Sequence, residues 1–166
     1  MNKLFAITIA LVLVGIISAF ALSPYFTEST IDEVIPTGAI IQSEMEEEIM
    51  KEDTTMEDII PMSFTGAFIG VGDGIHDTQG DVYTIPLEDG SNVLRLENFK
   101  STNGPDLYVY LSIDDNASKF INLGELKANK GNQNYVIPDD TDLSKHNKVL
   151  IWCKAFGVLF GSAELS

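Results

Sequence analysis

Residues 148–156 read KVLIWCKAF, and the alternation of their side chains is the strongest indication of fold in the chain. Successive side chains of a β-strand point to opposite faces of a sheet. The pattern therefore predicts a strand in which Cys153, the only cysteine of the 166 residues, points toward the core. The predicted inner face carries Val149, Ile151, Cys153 and Ala155, and the predicted outer face carries Leu150, Trp152, Lys154 and Phe156.

The same period of two recurs upstream, in DVYTIPL (81–87), NVLRLENF (92–99) and DLYVYLSI (106–113). Between these runs stand clusters of glycine, asparagine, aspartate and proline, the residue types that turns require. Residues 62–166 are therefore predicted to form one all-β domain, an antiparallel β-sandwich or small barrel of about seven or eight short strands.

Two of the intervening segments predict particular turns. In TNGPD (102–106), Gly104 is expected to adopt a positive φ, Pro105 to restrict the next angle, and Asp106 to bond back to the backbone. The segment KGNQNYVIP (130–138) is expected to form a hairpin turn that leads into a strand.

The N-terminal region begins with Lys3 and continues with 19 uncharged residues, 4–22. That length suits a membrane-spanning helix, which needs about 17–25 apolar residues. Ala19 and Ala21 also suit the cleavage site of a signal peptide, so an uncleaved anchor and a signal cleaved after Ala21 both remain open. Because the positive charge precedes the apolar run, either reading places the following domain outside the cytoplasm.

Residues 23–61 hold eleven acidic residues and one lysine. Such a segment buries little apolar surface, so it is predicted to be an acidic flexible linker that holds the domain away from the membrane. The alternative is a helix that packs on the domain through Ile49, Met50 and Met56.

The formal net charge of the chain is −15 and its pI is about 4.2. A nucleic-acid partner would require a basic face, so this class of partner is excluded. Adhesion of the whole chain to anionic lipid head groups is disfavoured for the same reason.

Three stretches together resemble one protein family in their residues and in their order along the chain. They are FTGAFIGVGDGIHDTQGDVYTI (64–85), LRLENFKSTNGPDLYVYLS (94–112) and INLGELKANKGNQNYVIPDDTDLSKHNKVLIWCKAFGVLFGSAEL (121–165). In these motifs residues 62–166 resemble the DM13 domain. The resemblance implies an extracytoplasmic all-β module that assists electron transfer, with the single cysteine as a free redox thiol or as a ligand to a group such as haem. It also implies a membrane or extracytoplasmic redox protein as partner.

Cys153 admits three interpretations from the sequence alone. A buried free cysteine acts as a small apolar core residue and is inert. An accessible one serves as a redox thiol or cofactor ligand, and an odd cysteine in an exported chain can pair with another molecule. Under the second interpretation Cys153 is the candidate redox residue, and Cys153 and His76 are the candidate cofactor-binding residues.

The chain offers few further ligands for a metal or haem. No histidine or methionine follows Cys153, so a blue-copper site is excluded, and C-x-x-C-H is absent. Non-covalent haem could use Cys153 with His76, His146 or Met62. The sequence also lacks G-x-S-x-G, which favours a non-enzymatic role.

The glycine-rich run GVGDGIHDTQGD (70–81) carries four potential cation ligands, Asp73, His76, Asp77 and Asp81. Clustered oxygen ligands suit a divalent cation, but the spacing differs from an EF-hand and the same residues form turns.

Two functions therefore remain open. The first is an accessory module in electron transfer that depends on Cys153. The second is a non-catalytic module that binds a protein or a glycan, in which Cys153 fills the core and Tyr108 and Tyr110 offer an aromatic face.

Overall fold

The domain consists of two five-stranded sheets that enclose one hydrophobic core. The computed structural model describes residues 5, 7–15, 18, 28–40 and 63–166. Its strands are β1 (Thr30–Asp32), β2 (Thr65–Ala67), β3 (Ile69–Gly70), β4 (Thr78–Pro86), β5 (Asn92–Ser101), β6 (Leu107–Ser112), β7 (Phe120–Glu125), β8 (Lys130–Ile137), β9 (Lys148–Cys153) and β10 (Val158–Glu164).

Sheet I has the strand order β1-β8-β5-β4-β2, and sheet II has the order β3-β10-β9-β6-β7. Every pair is antiparallel except β1 with β8, which is parallel. The all-β prediction is confirmed, and among the described residues the sheets remain open rather than closing into a barrel. Seven strands have six or more residues; β1, β2 and β3 have two or three, too few to show alternation.

The core lies between the sheets and is built from the inward side chains of their long strands. Leu107, Val109 and Leu111 of β6 and Val149, Ile151 and Cys153 of β9 belong to one buried cluster. Sheet I contributes chiefly Val82, Leu94, Leu96, Phe99, Tyr135 and Ile137. The predicted inner face of β9 is therefore correct, apart from Ala155, which lies in the exposed turn after β9.

Strand β8 replaces the hairpin turn expected at residues 130–138. It pairs with β5 along most of its length and with β1 along its first residues. Gly131 has φ 99° inside this strand, and a Cβ there would lie 1.8 Å from the Ile31 carbonyl oxygen. The glycine therefore permits close approach of β1, whereas the sequence pattern attributed it to a turn.

Residues 28–40, here named the strap, dock on sheet I although they lie inside the segment predicted as a flexible linker. β1 pairs with β8, Glu33 N donates to Asn132 O, and Ile40 N donates to Pro86 O at 2.9 Å. Arg95, buried on the outer side of sheet I, donates from Nη1 to Glu33 O at 3.0 Å. The strap thus runs along β8 and then crosses to the end of β4.

Residues 7–15 are helical. Among the described residues, no helix has the length and apolar content that a bilayer crossing requires. Much of the apolar run 4–22, all of residues 41–62 and the alternative helix through Ile49, Met50 and Met56 lie outside the described residues.

The antiparallel arrangement separates the connecting loops into two groups. At one end, named the cysteine end, lie residues 71–77, 102–106, 126–129 and 154–157, together with the start of the strap. At the other, named the far end, lie residues 87–91, 113–119 and 138–147. Cys153 is the last residue of β9 and therefore lies at the cysteine end.

Candidate functional site around Cys153

Cys153 lies inside the sandwich at the point where β9 ends. Its side chain is 1% exposed, and its lateral neighbours on the inner face of sheet II are Leu107 and Val158. The thiol donates a hydrogen bond from Sγ to Pro105 O at 3.0 Å. The predicted inward orientation is therefore correct, and the thiol has a defined backbone partner that the sequence did not indicate.

The segment 102–106 covers the thiol. Pro105 O accepts the Sγ hydrogen bond, and Asp106 O accepts a hydrogen bond from Lys154 N at 3.0 Å. Asp106, with φ 58°, holds the left-handed conformation that was expected at Gly104. Gly104 is instead required by space, because a Cβ there would lie 2.5 Å from Cζ of the buried Phe160 ring.

Lys154 does not bring its charge to the thiol. Its Nζ lies 4.9 Å from the centre of the Tyr108 ring, which is on the outer face of sheet II. Lys154 is the first residue of the turn after β9, and its side chain extends over the Tyr108 ring rather than toward the sulfur. The inward side chains beside Cys153, Leu107 and Val158, are apolar.

His76 lies at the same end of the domain as Cys153 but has other partners. Its ring packs against Phe160, with 4.4 Å between ring centres, and its Nδ1 lies 2.6 Å from Asp73 Oδ2. Hydrogen bonds from the His76 amide, the His76 ring and the Ile75 amide hold the pKa of Asp73 down at about 2. Phe160 belongs to the same core cluster as Cys153, so it separates the histidine from the interior.

The four potential cation ligands of residues 70–81 do not form one site. Asp73 Oδ1 accepts the amides of Ile75 and His76, which makes it the organiser of a turn. Asp81 lies in β4, where it pairs with Glu97 and Ala67. Within the part of the chain that is described, no group of three or more His, Cys, Asp or Glu side chains could hold a metal ion.

The residues around Cys153 do not fit a haem or metal ligand set. The thiol is hydrogen-bonded to a carbonyl and packed among apolar side chains, and a ligand would have to displace segment 102–106. His146, whose Nδ1 lies 3.3 Å from Asp142 O, belongs to the far end, and Met62 lies outside the described residues. Cys153 and His76 therefore lie at the same end of the domain. In the described geometry their side chains have different partners, Pro105 O for the thiol and Asp73 and Phe160 for the imidazole, and do not point to one shared ligand position.

Comparison with known proteins adds the family. A family model described as "Electron transfer DM13" matches residues 70–165. The chain belongs to the DM13 family. No curated protein and no solved structure was found to match it. The match includes the cysteine, its covering segment and the loop of His76, while the strap precedes the matched DM13 region.

The outer face of sheet II carries a second group of aromatic residues in this DM13 domain. Tyr110 stacks on Phe120 with 4.1 Å between ring centres, and Tyr108 lies 6.1 Å from Tyr110. Tyr108 pairs across the strands with Trp152. Burial, followed by the charges of Tyr108 and Asp106, raises the pKa of Tyr110. Tyr110 is buried and Phe120 is exposed, so the face combines packing with an accessible ring.

Sequence reasoning missed three residues that define the surroundings of the thiol. Pro105 supplies its hydrogen-bond acceptor through the backbone, which no side-chain pattern reveals. Phe160 lies at a β-bulge between Leu159 and Gly161, so simple alternation fails there. The exposed Phe156 was assigned to the strand, and the glycine that follows it was the available sign of a turn.

Proposed function

We propose that this DM13 domain is an accessory module in electron transfer outside the cytoplasm, and that Cys153 is its redox thiol. The observation that supports this most directly is the position of Cys153 at a strand end, beneath a single covering segment, in a domain of a family described by electron transfer. Residues 4–22 anchor the chain in the membrane, and the partner is a membrane or extracytoplasmic redox protein.

Because the chain has one cysteine, any disulfide that Cys153 forms must join it to a sulfur of another molecule. The acceptor is a disulfide of the partner. Cys153 loses its proton to water, its Sγ bonds to one partner sulfur, and the partner's S–S bond breaks so that the second sulfur leaves as a thiolate with the electron pair. The product is a mixed disulfide between the two proteins.

This chemistry requires segment 102–106 to open. The segment is held over Cys153 by the bond from Sγ to Pro105 O and the bond from Lys154 N to Asp106 O. Asp106 occupies the left-handed region at φ 58°, which asparagine and aspartate tolerate better than other residues but glycine tolerates best. Opening therefore breaks these two hydrogen bonds, together with those that join Thr102 to Asp77, and releases one unfavourable backbone conformation.

The test measures whether the thiol reacts faster than the domain unfolds. The full chain in detergent is treated with a water-soluble aromatic disulfide, and the rate is compared with the global unfolding rate measured in parallel. We expect one equivalent of reagent to react before unfolding, and a covalent adduct of the native domain in the mass spectrum. Cys153→Ser, which retains a donor to Pro105 O, is the matched control that forms no adduct.

A thiol that reacts only at the rate of global unfolding contradicts the redox proposal. Cys153 is then a core residue, and Cys153→Ala is expected to cost about 1–2 kcal/mol of unfolding free energy from the small cavity. An absorption spectrum with metal analysis of the same preparation would reveal any haem or metal, which the described ligands do not favour.

The second candidate function is a non-catalytic module that binds a protein or a glycan. The observation that favours it is the exposed ring of Phe120 stacked on Tyr110, beside Tyr108, on the outer face of sheet II. Such rings accept flat apolar surfaces of sugars or proteins. Phe120→Ser should abolish binding in a glycan or protein screen, while Val136→Ser, an exposed change on sheet I, should preserve it.

A further inference from the structure

The chain enters the domain at the cysteine end. Ser29 N donates to Asn129 Oδ1 at 2.6 Å, and Lys130 N donates to Ser29 O at 3.1 Å. Glu28 forms an ion pair with Lys130. Asn129 and Lys130 follow β7 at the end where β9 finishes with Cys153, so the first docked residues of the strap lie at that same end.

Only five residues, 23–27, separate the apolar run 4–22 from the strap. Five residues reach at most about 18 Å when fully extended. Because the strap is docked on sheet I, residues 23–27 alone separate the apolar run from the domain, in place of the whole segment 23–61 that the sequence suggested as a tether. If residues 4–22 anchor the chain, as proposed above, the cysteine end lies within that reach of the membrane surface.

The cysteine end also exposes large apolar side chains on two separate loops. Ile75 and Phe156 are each 72% exposed, and Val71 is also exposed. Ile75 and Val71 lie in the loop 71–77 and Phe156 lies in the turn 154–157. Exposed apolar side chains concentrated on one surface indicate an interaction site, and the reach of the anchor indicates which surface they meet.

The net charge of the loops also differs between the two ends, and the difference favours the cysteine end as the membrane-facing one. The loops of the far end carry seven carboxylates against two lysines, within residues 87–91, 113–119 and 138–147. The cysteine end carries four carboxylates against two lysines, within residues 28–29, 71–77, 102–106, 126–129 and 154–157. An anionic membrane surface therefore repels the far end, with a net charge of −5, more strongly than the cysteine end, with a net charge of −2.

We propose that the cysteine end docks on the outer surface of the membrane that anchors the chain, with Val71, Ile75 and Phe156 entering the interfacial layer. This inference rests on the proposed anchoring by residues 4–22. Apolar side chains at an interface bury themselves about 5–10 Å into the boundary between head groups and acyl chains. Docking presents the segment that covers Cys153 to a partner embedded in the same membrane, rather than to one in solution.

The experiment uses the full chain reconstituted in vesicles of phosphatidylcholine and phosphatidylglycerol. A photoreactive phenylalanine analogue replaces Phe156 or Ile75, one at a time, and the products are analysed for lipid adducts after illumination. Matched controls place the same analogue at Ile113, 40% exposed at the far end, and at Val136, 69% exposed on sheet I. We expect lipid adducts when the analogue is at position 156 or 75 and no lipid adducts when it is at position 113 or 136.

Two outcomes overturn the proposal, and they are distinguishable. Carbonate extraction and the mass of the mature chain report whether residues 4–22 remain in the membrane; a chain released by cleavage overturns the anchoring and the docking together. An anchored chain that forms adducts at positions 113 or 136, or at none of the four positions, overturns the docking alone.

A second measurement does not depend on the photoreactive analogue. With a protease site introduced in residues 23–27, cleavage frees the domain, and its retention on vesicles is measured by flotation. Ile75→Ser combined with Phe156→Ser should reduce retention relative to the parent, while Ile113→Ser combined with Val136→Ser should not. Equal retention of the two double variants contradicts insertion of the loops.

Discussion

At the scale of single residues, the surroundings of Cys153 depend on groups that hold neighbouring backbone in place. The thiol bonds to Pro105 O, and the next residue, Asp106, adopts φ 58°. Gly104 is needed because the Phe160 ring occupies the space where a side chain would lie. The site is thus closed by the packing of Gly104 against Phe160 and by the hydrogen bonds to Pro105 O and Asp106 O, so we expect changes at positions 104–106 to alter access to the sulfur.

Gly104→Ala is expected to lower the unfolding free energy by about 1–3 kcal/mol, because its Cβ would overlap the buried Phe160 ring. Chemical denaturation of the parent and the variant provides the measurement. Adding Phe160→Leu should recover part of the loss relative to the sum of the single effects, since the smaller side chain leaves room. Additive single effects would show that the ring is not the cause.

At the scale of elements, the strap is the feature that changes the interpretation of the chain. β1 is only three residues long, yet it joins a sheet edge as a parallel strand and brings Glu33 over Arg95. Glu33 in turn accepts hydrogen bonds from Lys127 Nζ at 2.8 Å and Asn134 N at 2.7 Å. These charge-assisted hydrogen bonds to Glu33 therefore help to hold the strap on sheet I, in addition to the three-residue backbone pairing of β1 with β8.

Gly131→Ala should detach β1, and Gly124→Ala is its matched control. Both glycines have positive φ, 99° and 129°, so both substitutions strain the backbone. A Cβ at Gly131 would collide with Ile31 O, whereas a Cβ at Gly124 meets nothing within 4 Å. Hydrogen exchange of residues 28–40 should therefore rise sharply in Gly131→Ala alone. Equal exchange in the two variants would contradict the steric role of Gly131.

Acid should release the strap. Burial pushes the pKa of Glu33 upward, but the hydrogen bonds from Lys127 and Asn134 and the charges of Lys127 and Arg95 outweigh it and hold the pKa below the ordinary value. The contribution of Glu33 is therefore complete above the unfolded pKa of about 4.3 and is lost as pH falls through the lower folded pKa.

We expect proteolysis within residues 28–40 to accelerate in that acidic window, as followed by mass spectrometry from pH 6 to pH 3. Glu33→Gln should remove most of the pH dependence, while Val34→Ala, a change at an exposed position of the same strap, should leave it unchanged. A Glu33→Gln variant as acid-sensitive as the parent would show that other carboxylates control docking.

At the scale of the whole molecule, the acidic run 41–62 is an insertion between two docked segments. Ile40 N donates to Pro86 O, and Ser63 Oγ donates to Thr84 O at 2.9 Å. Both ends therefore lie at one end of β4, about 7 Å apart along that strand. The run departs from and returns to the far end, so it does not set the distance between the domain and residues 4–22.

Replacing residues 41–62 with about ten Gly and Ser residues should leave the thermal unfolding midpoint and the exchange of the strap unchanged, because such a linker easily spans this gap. Net charge should shift from −15 to −8, since eight carboxylates and one lysine are removed. Joining Ile40 directly to Ser63 is the control and should detach the strap, because consecutive Cα atoms are only about 3.8 Å apart. A loss of stability with the longer linker would show that the acidic run packs on the domain.

Local alternation was sufficient to predict the all-β class, the core face of β9 and the inward direction of Cys153, because the period of two is a property of each strand by itself. Pairing partners are not local. β1 pairs with residues 100 positions away in the sequence. The sequence of β8 resembles a turn, and its strand conformation depends on pairing with β5 and β1. The charges of 23–61 suggest a tether, but Glu33 is held on the domain by Arg95 and Lys127. Only the tertiary structure could therefore place the strap, seal the thiol under Pro105, and gather the exposed apolar loops at one end.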